Sequence, residues 1–304
     1  MLTEKTNHYP LTKPKVIAST GQKLKDYIQL GKLRLSLTVV FSAGMAFLIA
    51  SNQPTNWGTF VALLIGGLLI TLSANAINQM LEVPFDALMK RTANRPLPAG
   101  RMLDSEAMLY AIFTGLIGVL TLMIGVSYLS GVLGLISLLM YAFLYTPMKR
   151  TSPLAVFVGG IPGALPVVIG WAGAMGRLEA GAWALFAIQF FWQLPHFWAI
   201  AWVAYEDYTR AGYRLMPSGG ERNRRSATEI CLYTLPLIPI AFLPEYLGIA
   251  GTGATIALVT ISVIYLLQTV LLWVKLSRKA ALGVMFGSFL YLPAALIALL
   301  ADKI

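Results

Sequence analysis

A polytopic all-α membrane protein is the fold class that this chain predicts, on three observations. Of its 304 residues, 57% are hydrophobic and 12% charged, and the mean hydropathy of +0.71 is far above that of a soluble domain. Apolar runs of about 17 to 24 residues, each long enough to cross a bilayer as a helix, recur along its length. The 23 lysines and arginines gather in alternate connections, the bias that sets orientation during insertion.

In order, the runs occupy 33–50, 57–80, 107–126, 131–147, 154–175, 182–202, 230–250, 253–274 and 281–301. Nine spanning helices are expected. The first follows a leader carrying Lys5, Lys13, Lys15, Lys23, Lys25, Lys32 and Arg34, so residues 1–32 read as a cytoplasmic segment and 33–304 as the transmembrane domain. A short, nearly uncharged turn leads to the second run, which ends in a long polar connection, about 81–106, holding Lys90, Arg91, Arg95 and Arg101. Runs three and four are joined by Ser127 to Ser130 and end at Lys149 and Arg150. The fifth carries Gly159, Gly160, Pro162, Gly163, Pro166, Gly170 and Gly173, a density that permits close helix contact and local breaks in the hydrogen-bond ladder. The sixth contains His196 and leads to a second long connection, about 203–229, with Arg210, Arg214, Arg222, Arg224 and Arg225. Lys275, Arg278 and Lys279 separate the last two runs.

On this layout 21 of 23 cations share one side and only Arg177 and Lys303 lie on the other. The shared side reads as the cytoplasm of a bacterial inner membrane, with the N-terminus inside and the C-terminus outside. The two long connections lie four helices apart, which suggests two four-helix halves followed by a ninth helix.

These features exclude several function classes. The net charge of +10 is spread over five segments instead of forming a basic module, which argues against nucleic acid as a partner. A single cysteine, Cys231, leaves no intrachain disulfide, and without a Cys or His cluster there is no zinc signature. The leader resembles neither a signal peptide nor a mitochondrial transit sequence. A transporter coupled through intramembrane acids would place charge near the midplane, yet 10 of 13 acids fall on the inner side.

Chemistry is expected first in Asn78 to Gly100, NQMLEVPFDALMKRTANRPLPAG. Asn78, Glu82 and Asp86 are spaced by four and on a continuous helix drift by only about 80°, sharing one face. Oxygen ligands of this kind suit Mg²⁺ shared with substrate phosphates. Pro84 disfavours helix at Val83, which makes the placement of Asp86 less secure than that of Glu82. Arg91 and Arg95 follow, and guanidinium groups match phosphate oxygens through paired hydrogen bonds. The ordinary alternative is that the arginines are topogenic and the acids their partners.

Asn78, Glu82, Phe85, Asp86, Met89, Arg91, Thr92, Arg95 and Gly100 resemble, residue for residue in spacing, the signature of the UbiA-type intramembrane prenyltransferases. That resemblance implies a prenyl diphosphate head under the cytoplasmic loops and a prenyl tail in an apolar channel, with Glu82 standing where the family often has aspartate. Tyr145 and Lys149 resemble its Tyr-x-x-x-Lys element, whose lysine is expected to contact diphosphate. Asp207, beside Glu206, resembles a reduced form of its second acidic motif, so that Asn78, Glu82, Asp86 and Asp207 are the implied catalytic and Mg²⁺-holding set. One of the adjacent pair Glu206 and Asp207 is expected to face the site, since neighbours on a helix point about 100° apart.

The segments WQLPHFWAIAWVAYEDYTRAGYRLMP and GGIPGALPVVIGW resemble the protohaem IX farnesyltransferase branch. The resemblance implies transfer of farnesyl from farnesyl diphosphate to a vinyl group of haem B with addition of water, giving haem O and pyrophosphate. Among partners it implies the lipid bilayer and assembly proteins of haem-copper oxidases. His196 is then either a haem contact or a neutral histidine hydrogen-bonded between helices; a helix running eleven residues further would align it with Asp207. The nearest rival is prenylation of an aromatic quinone precursor by the same diphosphate chemistry; a purely structural subunit is a third reading.

Overall fold

The structure is a computed structural model that describes residues 19–51 and 55–304; Lys5, Lys13, Lys15 and the centre of the first turn lie outside them. Among the described residues the regular structure is helical, with turns between the helices and one isolated bridge between Ala250 and Lys303. Helix α1 spans Thr20–Leu30, α2 Leu33–Ala50, α3 Trp57–Asp86, α4 Asp104–Gly125 and α5 Tyr128–Leu139. A π-helical turn, Met140–Tyr145, carries α5 into α6, Thr146–Thr151; then come α7, Ala155–Met175, α8, Ala180–Val203, and the short α9, Tyr205–Arg210, and α10, Pro217–Gly220. The chain continues as α11, Arg224–Thr234, α12, Leu237–Ile240, α13, Leu243–Tyr246, α14, Thr252–Lys275, and α15, Arg278–Ala301.

Eight segments among the described residues are long and apolar enough to cross a membrane. The nine expected spans are therefore not all matched on that measure. The exception is α8, whose 24 residues suffice in length, about 36 Å at 1.5 Å per residue. Gln189, Gln193, Pro195 and His196 lower its hydropathy. The seventh expected span is interrupted: Pro236, Pro239 and Pro244 remove backbone donors and divide it into α11, α12 and α13.

Helix α3 packs on α4, α2 on α7, and α15 on α8, α14 and α2, so the first and last spans meet. Because lipid is as apolar as a leucine side chain, such packing relies on close approach and polar contacts. Gly170 supplies the approach: a Cβ there would lie 2.0 Å from the Ala43 carbonyl oxygen of α2. Pro166 leaves the carbonyl of Pro162 without its helical donor, and Ser137 donates to it at 3.2 Å. Gln189 and Gln193 of α8 donate to the carbonyls of Gly163 and Gly160 at 2.7 and 2.6 Å. The two glutamines that cost α8 its hydropathy are thus held by α7.

Candidate active site

The helix that carries the acids begins with an Asn56 cap accepting from Thr59 at 3.1 Å and runs unbroken through Pro84 to Asp86. Asn78, Glu82 and Asp86 consequently share one face, and they are 0, 7 and 1% exposed. Pro84 had weakened the placement of Asp86, but the helix absorbs it near its end, where few intrahelical bonds are lost.

Each residue on this face meets a different element. The Asn78 Oδ1 accepts from Lys32 Nζ at 2.9 Å, and its amide donates to Thr146 Oγ1 at 3.1 Å. Glu82 pairs with Lys149 at 2.8 Å, and Asp86 with Arg95 at 2.5 Å. Thr92 closes the turn by donating to the Asp86 carbonyl at 2.9 Å. The second carboxylate oxygen of Asp86, Oδ1, is buried with no hydrogen-bond partner among the described residues.

The π-helical turn places Lys149: the backbone N–H of Thr146 donates to the carbonyl of Tyr141 five residues back, and the Thr146 hydroxyl donates to the same carbonyl at 2.9 Å. Tyr145 lies under Lys149, whose ammonium is 4.7 Å from the ring centroid, a stabilising cation–π arrangement. Gly159 makes room for that ring, because a Cβ there would come within 2.5 Å of it. Arg91 is peripheral: it is exposed, reaching the Tyr208 hydroxyl at 3.4 Å.

The two long connections converge. Met89 from the first clusters with Ala211 and Tyr213 from the second, against Phe85, Tyr208 and Leu215. Tyr213 is 5% exposed, and its hydroxyl lies near Glu82 but outside hydrogen-bonding geometry. Burial, reinforced by the charges of Glu82 and Asp86, holds this phenol far above the usual tyrosine range, so it stays protonated.

Asp207 does not join the acids of α3. It pairs with Arg210 at 3.2 Å within α9, while Glu206 pairs with Arg222 at 3.0 Å. Among the described residues no three His, Cys, Asp or Glu side chains are close enough to form one metal cluster. Of the adjacent pair, Asp207 is the more enclosed, with 23% of its side chain exposed against 63% for Glu206. Helix α8 ends at Ala204, where φ is −100° and ψ 21°, so the helical alignment of His196 with Asp207 is lost. His196 bonds to Ser288 of α15 at 2.6 Å.

Sequence reading missed Lys32, which it counted as a topogenic charge. Asn75 donates to Ser36 and to the Gly31 carbonyl, both at 3.2 Å, and Gln79 donates to the Gln29 and Leu30 carbonyls at 2.9 and 2.7 Å. Together they dock the α1–α2 joint onto α3. Lys32 at that joint takes a left-handed conformation, φ 48°, and turns into the site. Its amine is pushed down to about 7, by burial first and then by the charges of Arg95 and Lys149. The one sequence signal was the run of amides, Asn75, Asn78 and Gln79, in an otherwise apolar span. Residues 19–32 thus pack on the domain that follows them.

The profile of the UbiA prenyltransferase family matches residues 39–298. A protein of Cytophaga hutchinsonii named protoheme IX farnesyltransferase is 46% identical over 285 residues, covering 93% of this chain and 99% of that one. One of the same name from Solibacter usitatus is 37% identical over 289 residues, covering 92 and 99%. Among solved structures, a UbiA homolog from Archaeoglobus fulgidus bound to GPP and Mg²⁺ superposes with a TM-score of 0.70 at 14% identity, over 90% of this chain and 99% of that one. A digeranylgeranylglyceryl phosphate synthase gives 0.77 at 17% identity, over 92 and 98%. Those two likenesses concern the fold alone. The family match over most of the length, with near-complete relatives well above 30% identity, establishes that the chain belongs to the UbiA prenyltransferase family.

Proposed function

We propose that this protein transfers the farnesyl group of farnesyl diphosphate to a vinyl group of protohaem IX, with addition of water, giving haem O and pyrophosphate. The observation that carries the reading is the buried face of Asn78, Glu82 and Asp86 set against Lys149 and Arg95, in a chain whose near full-length relatives are named protoheme IX farnesyltransferase. Membrane insertion with the N-terminus inside puts this site at the cytoplasmic surface.

The donor set suits Mg²⁺: two carboxylates and an amide oxygen are hard ligands, and Asp86 Oδ1 is buried without a partner. Asn78, Glu82 and Asp86 would hold the ion; Asp207, paired with Arg210 on α9, is the further acid that the family resemblance implies. When bound, Mg²⁺ neutralises charge on the diphosphate.

The chain's own residues do the remainder. Lys149 and Arg95, now engaged by Glu82 and Asp86, are placed to release those acids and take diphosphate oxygens, stabilising the negative charge that develops as pyrophosphate leaves. Arg91 sits at the outer rim, suited to first capture of the anion. Tyr145 supports Lys149 from below. Surrounding helices exclude water from the allylic cation until the terminal vinyl carbon attacks farnesyl C1; water then adds to the positive charge beside the pyrrole and loses a proton to the released pyrophosphate, leaving a hydroxyl. His196 is assigned to the haem acceptor.

The test is reconstituted protein given farnesyl diphosphate, Mg²⁺ and protohaem, with products identified by mass spectrometry. A hydroxyethylfarnesyl haem is expected. Prenylation of 4-hydroxybenzoate or a naphthoate in its place would overturn the acceptor assignment.

A further inference from the structure

His196 is 9% exposed and set among aromatic rings. Trp192 stacks on it at 5.2 Å and 19°, and Phe197 and Phe289 meet it edge-on at 5.3 Å each. None of these is a counter-charge, so the neutral ring is the stable form. Its Nδ1 is 2.6 Å from Ser288 Oγ. That hydroxyl has one proton, and Oγ is 2.5 Å from the Met285 carbonyl oxygen, an atom that can only accept. The proton is therefore committed to Met285, and Oγ turns a lone pair toward the imidazole.

The contact is then a hydrogen bond only if Nδ1 carries the single proton of the neutral ring. Nε2 is left bare, with no hydrogen-bond partner among the described residues. A second tie holds the arrangement, because the Trp192 indole donates to the Ser288 carbonyl at 2.8 Å. A bare nitrogen, oriented from the other side of the ring, is how ligating histidines are prepared for a metal.

We propose that Ser288 is a positioning residue that fixes His196 in its Nδ1–H tautomer and so presents Nε2 as an axial ligand to the iron of a porphyrin acceptor. The ligand class rests on the protohaem reading above; the tautomer does not. The chain has two histidines, so the full-length His8→Gln variant with ¹⁵N-labelled histidine reports on His196 alone. In lipid nanodiscs without haem, the ring proton is expected on Nδ1; a proton on Nε2 overturns the proposal whatever the acceptor.

Ferric protohaem is then added and followed by absorption and electron paramagnetic resonance. Nitrogen ligation is expected in the parent and its loss in His196→Ala. In Ser288→Ala the Kd should rise roughly 10–100-fold, the usual effect of removing an outer partner of a ligating histidine, with recovery in Ser288→Thr. Parental affinity and ligation in Ser288→Ala would remove Ser288 from this role. Haem bound by the parent without nitrogen ligation would refute the axial ligand alone, whereas no haem binding by the parent would also bring down the acceptor reading.

Discussion

Replacing Lys149 by Met tests whether the Glu82–Lys149 pair is a functional element or only a structural one. The two groups are 2.8 Å apart, with 12 and 9% of their side chains exposed, so little solvent is available to either. Removing one partner of such a pair strands the other charge, at a cost of about 3–5 kcal/mol. The lower end is expected here, because the charge of Lys32 also reaches Glu82. The double variant Glu82→Gln with Lys149→Met removes both charges and should recover stability to within about 1 kcal/mol of the parent. Equilibrium unfolding in mixed micelles measures both. Turnover should behave differently: both variants lack the lysine that would stabilise the leaving diphosphate, and each should lose at least about 10²-fold in kcat. Recovery of turnover together with stability in the double variant would refute the functional role of Lys149. An unchanged stability in Lys149→Met would refute the burial argument itself.

Three further outcomes are expected. Asp86→Asn should abolish turnover while leaving membrane insertion intact, and near-parental turnover would remove Asp86 from the metal-holding set. Lys32 has a folded pKa of about 7 against an ordinary 10.5, so above pH 7 the unfolded chain holds more protons and stability should climb with pH until about 10.5; Lys32→Met should remove that upward slope in unfolding measured across pH 7–10. Gly170→Ala places a methyl carbon 2.0 Å from the Ala43 carbonyl oxygen, which α2 cannot avoid without moving, and a loss of more than about 2 kcal/mol in the same unfolding assay is expected.

Much of the fold was legible in the sequence because hydropathy and helix length follow directly from burial in lipid. The all-α class and eight of the expected spans are found. The sixth expected span, α8, fails on hydropathy because two glutamines and a histidine make it polar. Their interhelical hydrogen bonds to Gly163, Gly160 and Ser288 are invisible in a single chain of letters. The i, i+4 face of Asn78, Glu82 and Asp86 was readable for the opposite reason: helical geometry is local. Pro84 blurred it only because proline's effect depends on its distance from the helix end. The break at Ala204, which separates His196 from Asp207, had no comparable signal, since no glycine or proline marks it.

Partner choice is the part that local rules do not reach. Lys32 meets Asn78 across 46 positions, Lys149 meets Glu82 across 67, and Arg91 meets Tyr208 across 117; each depends on the packing of whole helices. Their geometry also changes what the site implies. Read for function, loop arginines and acids are two separate groups in the sequence, one for phosphate and one for metal; in the ordinary alternative they are partners. In the fold, Lys149 and Arg95 are already engaged by Glu82 and Asp86, in surroundings where an unpaired charge is costly. A bare diphosphate would have to win the cations while leaving two buried carboxylates unpaired. A diphosphate arriving with a divalent ion avoids that penalty, because the carboxylates released by the cations gain the ion as partner. The pairing therefore argues that anion and metal bind as one unit, and it predicts that pyrophosphate binds more weakly by at least 10-fold, about 1.4 kcal/mol, when divalent ions are chelated. Equal affinity with and without the ion, measured by calorimetry, would refute the exchange of partners.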